Sequence, residues 1–532
     1  MLYGGGKTNW SKFRHNGPMF PEEYKQHNLP ILLNNKILDL TVELEEKFTS
    51  YAKYIGTDYL ENSKFNKNFY KEIKKDLPNL SFDEFLILDF SKIIDFHNKL
   101  KEDRLSKTKD EKDELKEIQL ELEKPYSILQ IDGQQQKIGN FKIEPPGIFL
   151  GRGSHPKIGQ WKNRIFPKDI ILNLDKDAPI PKPHLYHDKT WEKVVNQPES
   201  IWLVTWKDYI TGKNKYVFPS VESTFKSESD KEKFDLARKL KNKVTTIRTQ
   251  YFRDLESTDI VYKQLATALY FIDELALRVG GKKDSKEQAD TVGVTSLRVE
   301  HLSFPDKDLT IKLDFLGKDS VRFCKLVQVP EIVYNNLKLL TIDKNKKLDL
   351  FDKITNFSLN SYLKSFMPEL TAKVWRTFKA STTFQKELNK IKEDDLKNFN
   401  ENEKINYLLS KFNYANTQVA LLCNHQKNIS KNFDDQIDKF KDKIKDLRKK
   451  KTKTKNKEKE RTIANKILLE KSKLETKSKM KNVSLGTSKT NYIDPRIIMA
   501  FANKFNIPHD KLFTKSLLSR FEWALVDKTF VF

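Results

Sequence analysis

Residues 265–281 read LATALYFIDELALRVGG, and Leu265, Leu269, Ile272, Leu275 and Val279 recur there at the three- and four-residue intervals of one helical face. Gly280-Gly281 is the expected stop. The same periodicity dominates from about residue 224 to 426, so the stretch belongs to a mainly helical domain. One segment inside it breaks the rhythm. Leu309, Ile311, Leu313 and Phe315 alternate with Thr310, Lys312 and Asp314, and Leu316-Gly317-Lys318-Asp319 turns the chain into SVRFCKLVQV. A period of two marks a strand with one buried face, so this is a hairpin with Lys318 at its tip.

Outward from this domain the patterning changes on both sides. Residues 1–223 are mixed α/β, with Pro and Gly punctuating short strands in NGPMFPEEY and IEPPGIFLGRGSHPKIG. Within them, residues 92–124 are highly charged and carry Leu100, Leu105, Leu115, Ile118 and Leu122 at roughly helical intervals, which predicts one or two solvent-exposed helices. On the C-terminal side, Phe433, Ile437, Phe440, Ile444 and Leu447 are spaced 4-3-4-3, and Ile463, Ile467 and Leu474 resume the seam after KKKTKTKNKEKE. Two helices joined by that polar reversal make an antiparallel coiled-coil linker. After it, YIDPRIIMAFANKF starts a helix with Asp494 as N-cap, Pro495 in the first turn and Ile497, Ile498, Phe501 and Phe505 on its apolar face. The expected organisation is thus α+β and multidomain: a cap over 1–223, a helical core over 224–426, a linker over 427–480 and a small helical C-terminal domain over 481–532.

A length of 532 residues has room for three or four domains of roughly 150 residues and excludes a disulfide-stapled miniprotein. Cys324 and Cys423 are the chain's two cysteines, too few for a Cys-based zinc site and consistent with a reducing compartment. No segment reaches the roughly 18 uninterrupted apolar residues of a membrane span, and MLYGGGKTNWSKFRHNG has no signal-peptide core. The formal charge is +24, from 98 Lys and Arg against 74 Asp and Glu. Residues 431–480 contribute +10 of this, which leaves +14 on the rest of the chain. The body is therefore basic as well as the linker, as suits a polyanionic partner such as a nucleic acid.

Familiar catalytic patterns are missing from the sequence. GGGKT at 4–8 would need its first phosphate-loop glycine at Met1, with no strand before it, so nucleotide binding is not expected. His184 and His187 in PKPHLYH lack a third ligand nearby and read as two surface histidines. HExxH, GxSxG and clustered-aspartate motifs do not occur, so no metal or other cofactor is expected. Phosphodiester transesterification without metal needs a nucleophile, cations for a pentacoordinate phosphate and an acid for the leaving hydroxyl. Scattered polar residues of this helical domain match that requirement.

The strings ALYFIDELALRVG, DFLGKDS, LTAKVWRTF, LLCNHQ and LGTSKTNYIDPRI, together with NGPMFPEEY and FKIEPPGIFLGRGSHPKIG in the N-terminal half, resemble eukaryotic-type DNA topoisomerase IB, in that family's order and over nearly the whole chain. The resemblance implies a clamp around duplex DNA that relaxes supercoils of both signs without ATP or a required metal. By the same resemblance Tyr492 is the nucleophile that becomes attached to the 3′ end. Arg278, Arg376 and His425 bind nonbridging phosphate oxygens, and Lys318 is the general acid. Lys373 opens the Lys-x-x-Arg string, and Arg152, Asp319 and Asn491 match positions that contact DNA or the camptothecin pocket. The implied partner is double-stranded DNA, bound as a monomer and largely without sequence preference. The implied location is the nucleus, or a cytoplasmic replication site for a virus-encoded chain.

Against the family pattern, the long charged N-terminal extension is missing, the linker is short and Leu150 stands where a basic residue is expected. Taken singly, each site residue also has an ordinary reading: Arg278 as a helix C-terminal cation, Lys318 as a turn lysine, His425 as a core histidine and Tyr492 as one of 18 tyrosines. Their order inside long matching strings favours the catalytic reading. Tyrosine recombinases share Arg278, Lys318, Lys373-x-x-Arg376, His425 and Tyr492, but the N-terminal half decides against them. A noncatalytic DNA-coating protein on the same fold is the other alternative, and it would never form a covalent adduct.

Overall fold

The computed structural model describes residues 8–284, 286–397, 399–427 and 432–532. Residues 4–7 of the GGGKT string and 428–431 at the expected start of the linker lie outside the described residues. Contacts divide the chain into one unit that runs to Lys226 and includes Lys283–Asp290, and a second formed by Ser227–Lys282 and Thr291–Phe532. The structure is α+β.

The first unit has two apolar cores. Around one, helices α1 (Val42–Ala52) and α2 (Ser63–Ile73) bury Phe48, Tyr51, Phe65 and Phe69. Two further helices, α3 (Ser91–Ser106) and α4 (Lys109–Glu123), account for the charged stretch, and Thr108 and Glu111 form a reciprocal capping box at the start of α4. Leu100, Leu105, Leu115, Ile118 and Leu122 are exposed on them, as expected. The other core lies against two small sheets. Strands β1 (Phe13–Arg14), β2 (Ile128–Ile131) and β3 (Gln134–Lys137) form the first in that order. Asp132 and Gly133, both at positive φ, make the two-residue turn between β2 and β3. The second sheet contains β4 (Ile170–Asn173), β5 (Lys193–Val195), β6 (Val204–Lys207) and β7 (Asn214–Val217), ordered β7-β6-β4-β5 with β4 and β5 parallel. His187 is exposed, but His184 is half-buried and its Nδ1 accepts the Phe20 backbone N–H at 3.3 Å. The surface reading therefore holds for His187 and fails for His184.

In the second unit, α5 (Thr224–Leu255) and α6 (Ile260–Leu275) are tied together by a fully buried carboxylate. Asp273 accepts two bonds from Arg248 (2.7 and 2.8 Å), one from the Tyr251 hydroxyl (3.0 Å) and one from the Trp375 indole (3.2 Å). Burial alone would raise its pKa. The Arg248 bonds and the Lys379 charge outweigh that and hold the carboxyl below its ordinary value, so it stays ionised.

Helix α6 ends at Leu275, earlier than its apolar spacing predicts. Ala276 turns left-handed (φ 50°), and the carbonyls of Arg278 and Val279 then accept from the backbone N–H of Val294 (2.9 Å) and Thr295 (2.8 Å). The hairpin matches expectation from Ile311 onward, but Leu309 precedes the strand at φ 46° and Thr310 is buried. Strand β8 (Thr310–Leu316) pairs antiparallel with β9 (Arg322–Gln328), burying Ile311, Leu313 and Phe315.

Helices α7 (Ala372–Leu388) and α8 (Glu401–Leu422) follow, then the linker helices α9 (Phe433–Lys453) and α10 (Lys457–Lys479), which reverse over residues 454–456. Asn456 caps α10 by accepting from the Glu458 and Lys459 amides. A second face of α10 packs on α8 through hydroxyls: Ser410 Oγ lies 2.9 Å from Ser472 Oγ and 3.3 Å from Thr476 Oγ1. Apolar spacing could not reveal this face. Helices α11 (Leu485–Asn491) and α12 (Pro495–Phe505) come next, with Asp494 capping α12 as expected, and a short helix over Lys515–Arg520 follows them. Ile497, Ile498, Phe501 and Phe505 join the same core cluster as Leu269 and Trp375. A buried ion pair from Arg520 to Asp230 of α5 (2.6 Å) fastens the C-terminal segment.

Candidate active site

Four structural elements end at one cleft. The left-handed turn after α6 brings Arg278 to it, the β8–β9 turn brings Lys318, α7 brings Arg376 and the end of α8 brings Cys423 and Asn424. The approach to Arg278 is set by two glycines. A Cβ on Gly280 (φ +77°) would stand 2.6 Å from Gly293 Cα, so the two backbones meet only because neither residue has a side chain.

Arg376 is 3% exposed, and each of its three side-chain nitrogens has a partner, with two of its five N–H groups left for a ligand. Its Nε donates to the Ala276 carbonyl (2.7 Å), one terminal nitrogen to the Cys423 carbonyl (3.2 Å) and the other to the Tyr492 hydroxyl (2.9 Å). Tyr492 follows the last residue of α11 and is 8% exposed. Its backbone is stapled to α7 by Ser381, whose Oγ donates to Tyr492 O (3.1 Å) and accepts from Asp494 N (3.0 Å).

The His425 ring lies 5.2 Å from the Tyr492 ring, centroid to centroid. Its Nδ1 is 2.7 Å from Ser488 Oγ, while its Nε2 is buried with no hydrogen-bond partner among the described residues. Burial, then the charges of Arg376 and Arg278, push its pKa down to about 3, so the ring is neutral. Burial and Arg376 likewise depress Arg278, whose guanidinium makes no hydrogen bond or ion pair among the described residues. Two crowded guanidiniums and an unused imidazole nitrogen form a receptor for an anion rich in acceptors, which is the character of a phosphodiester.

The structure thus gathers Arg278, Lys318, Arg376, His425 and Tyr492. Lys318 and Asp319 are exposed in the hairpin turn, where Asp319 has φ 64°. Lys373 is exposed on the first turn of α7, one turn before Arg376. Asn491 is half-buried, with its side chain donating to Thr487 O (3.2 Å) and its own carbonyl accepting from Lys233 (3.1 Å). Arg152 is exposed in the first unit, on the loop after Gly151. Sequence reasoning missed Ser381, Ser488 and the Ala276 and Cys423 carbonyls. Ser488 lies inside a matching string, one helical turn before Tyr492, and that spacing is the signal that could have found it.

Comparison with known families matches residues 8–219 to "Eukaryotic DNA topoisomerase I, DNA binding fragment", 222–458 to "Eukaryotic DNA topoisomerase I, catalytic core" and 464–532 to "C-terminal topoisomerase domain". Among curated proteins, DNA topoisomerase 1 of Caenorhabditis elegans is 39% identical across 97% of this chain and 67% of its own length. DNA topoisomerase 1 beta of Arabidopsis thaliana is 39% identical across 99% of this chain, which spans 60% of that protein. For DNA topoisomerase 1 of Homo sapiens the values are 37%, 97% and 71%. With identity at this level along nearly the full chain and every segment matched in order, the chain belongs to the eukaryotic DNA topoisomerase I family.

Proposed function

We propose that the chain relaxes positively and negatively supercoiled duplex DNA by cutting one strand through a 3′-phosphotyrosyl intermediate, letting it rotate and resealing it. The observation that carries the mechanism is the Arg376 guanidinium held by two backbone carbonyls with its remaining nitrogen 2.9 Å from the Tyr492 hydroxyl. A cation fixed there meets the nucleophile and the phosphate that it attacks.

In the cleavage step Tyr492, its phenolic proton given up to solvent water and its phenolate held by Arg376, attacks phosphorus, and the bond from phosphorus to the 5′ oxygen breaks. Lys318 supplies the proton that lets this oxygen leave as a hydroxyl. Arg278 and Arg376 take the charge on the nonbridging oxygens, and His425 adds a third contact. After rotation about the intact strand, the 5′ hydroxyl attacks the phosphotyrosine, its proton returns to Lys318 and Tyr492 leaves. Bond energy is kept in the phosphotyrosine, so the cycle needs no ATP, and the cationic side chains do the electrostatic work without a required metal. Lys373, Arg152, Asp319 and Asn491 are proposed as further DNA contacts. Binding goes mainly to backbone phosphates and is largely independent of sequence. The chain acts as a monomer, and the nucleus is its proposed location. No helix among the described residues is long and apolar enough to cross a membrane.

The test is relaxation of a negatively supercoiled plasmid in EDTA without ATP, comparing the parent with Tyr492→Phe at matched DNA occupancy, with covalent complexes trapped by denaturant. Relaxation and adduct lost together in the variant is the expected result. A parent that binds DNA across a range of salt yet neither relaxes the plasmid nor forms an adduct would leave the DNA-coating reading in its place.

A further inference from the structure

We infer that Ser488 fixes the tautomer of His425 by donating its hydroxyl proton to Nδ1, so that the ring's one N–H stays on Nε2 and is presented to the scissile phosphate. This rests on the proposed role of His425 as a phosphate contact.

Ser488 is fully buried on α11, and its Oγ lies 2.7 Å from His425 Nδ1. A hydroxyl can donate to an imidazole nitrogen or accept from it, so distance alone leaves two arrangements. The surroundings choose between them. Among the described residues the Ser488 hydroxyl makes no other hydrogen bond, not even to the carbonyl one turn earlier, and it is shut off from water. If Nδ1 carried the proton, the hydroxyl hydrogen would be stranded in the interior; with Nδ1 bare, it is satisfied. A nonbridging phosphate oxygen only accepts, so a neutral imidazole serves it only with hydrogen on Nε2, which is the buried nitrogen without a partner. One bond therefore settles both ends of the ring. Ser488 is fully buried and its hydroxyl meets the site only through His425, so it is a positioning residue.

The experiment is single-turnover cleavage of a short suicide duplex by the full chain carrying Ser488→Ala, alone and combined with His425→Ala. Ser488→Ala is expected to slow cleavage about tenfold at unchanged DNA affinity. Ser488→Thr, which keeps the hydroxyl, restores most of the rate, and Ser488→Ala adds nothing once His425 is alanine. An equal loss in both backgrounds would mean a merely structural serine and would overturn the inference. The second measurement does not depend on activity. In protein with 15N-labelled histidine, the His425 signal, assigned by its loss in His425→Gln, should report a bare Nδ1 and a protonated Nε2; the opposite pattern overturns the inference. If the parent forms no covalent adduct, the catalytic reading has failed, and the tautomer measurement still decides this one.

Discussion

At the scale of single residues, Arg376 commits its nitrogens to three elements: the turn after α6, the end of α8 and the tyrosine after α11. An ammonium is a point charge and cannot keep all three directions. Arg376→Lys should therefore reduce single-turnover cleavage by about 10²–10³-fold while DNA affinity changes little. A loss of only a few fold would mean that charge alone suffices and the fork is dispensable. His425 gives a prediction in pH. Its folded pKa is pushed down to about 3, below the roughly 6.5 of an unfolded histidine, so between these values the unfolded chain binds more protons. Stability from this ring is complete above pH 6.5 and declines on acidification toward pH 3, by about 1.4 kcal/mol per unit. His425→Gln should remove that part of the acid slope in thermal midpoints, and an unchanged slope would show that the ring titrates normally. The residues that face the cleft were legible because each stands in a long distinctive string. Ser381 was not, because it lies beyond the end of its string at Phe378, and the Ala276 carbonyl was not, because a backbone acceptor leaves no signature in the identity of its residue.

At the scale of elements, Val279 extends the apolar spacing of α6, yet the helix has already ended at Leu275. What stops it is tertiary: the Ala276 carbonyl is held by Arg376, and those of Arg278 and Val279 by the Val294 and Thr295 amides. Local periodicity cannot report either constraint. The β8–β9 hairpin and the Asp494 cap were legible because their signals are local, an alternation in one case and a side chain beside a free amide in the other. The Gly280 contact predicts a contrast between two glycines. Gly280→Ala forces a side chain onto φ +77° and against Gly293, and should cost about 1–3 kcal/mol and slow cleavage by displacing Arg278. Gly486 lies in α11 with nothing within 4 Å of its added Cβ. Gly486→Ala should instead raise stability by about 0.5–1 kcal/mol. Denaturant unfolding of the two variants decides; equal destabilisation would remove close backbone approach as the cause.

At the scale of the whole molecule, fold class followed from patterning, but the joining of Lys283–Asp290 to the first unit did not, since it depends on contacts far apart in sequence. Charge was legible and its placement is the testable part. Of the net +24, residues 431–480 hold +10, and Lys449, Lys450, Lys453 and Lys455 are exposed around the reversal of α9 into α10. Each phosphate neutralised by a protein cation contributes about −0.9 to the slope of log affinity against log salt. If these four lysines meet duplex DNA beyond the cleft, changing all four to Gln should flatten the slope by about 1–3 units. The rate of plasmid relaxation should then peak at lower salt, because the DNA is released sooner. The cleavage step at saturating DNA should be untouched, since none of the four lysines lines the cleft. Most of the slope should survive in the variant, carried by the +14 on the remaining chain. A slope identical to the parent's would leave these four lysines as a solvated surface and place DNA recognition elsewhere on the chain. Collapse of the slope would place recognition on the linker instead, against the charge balance of the body.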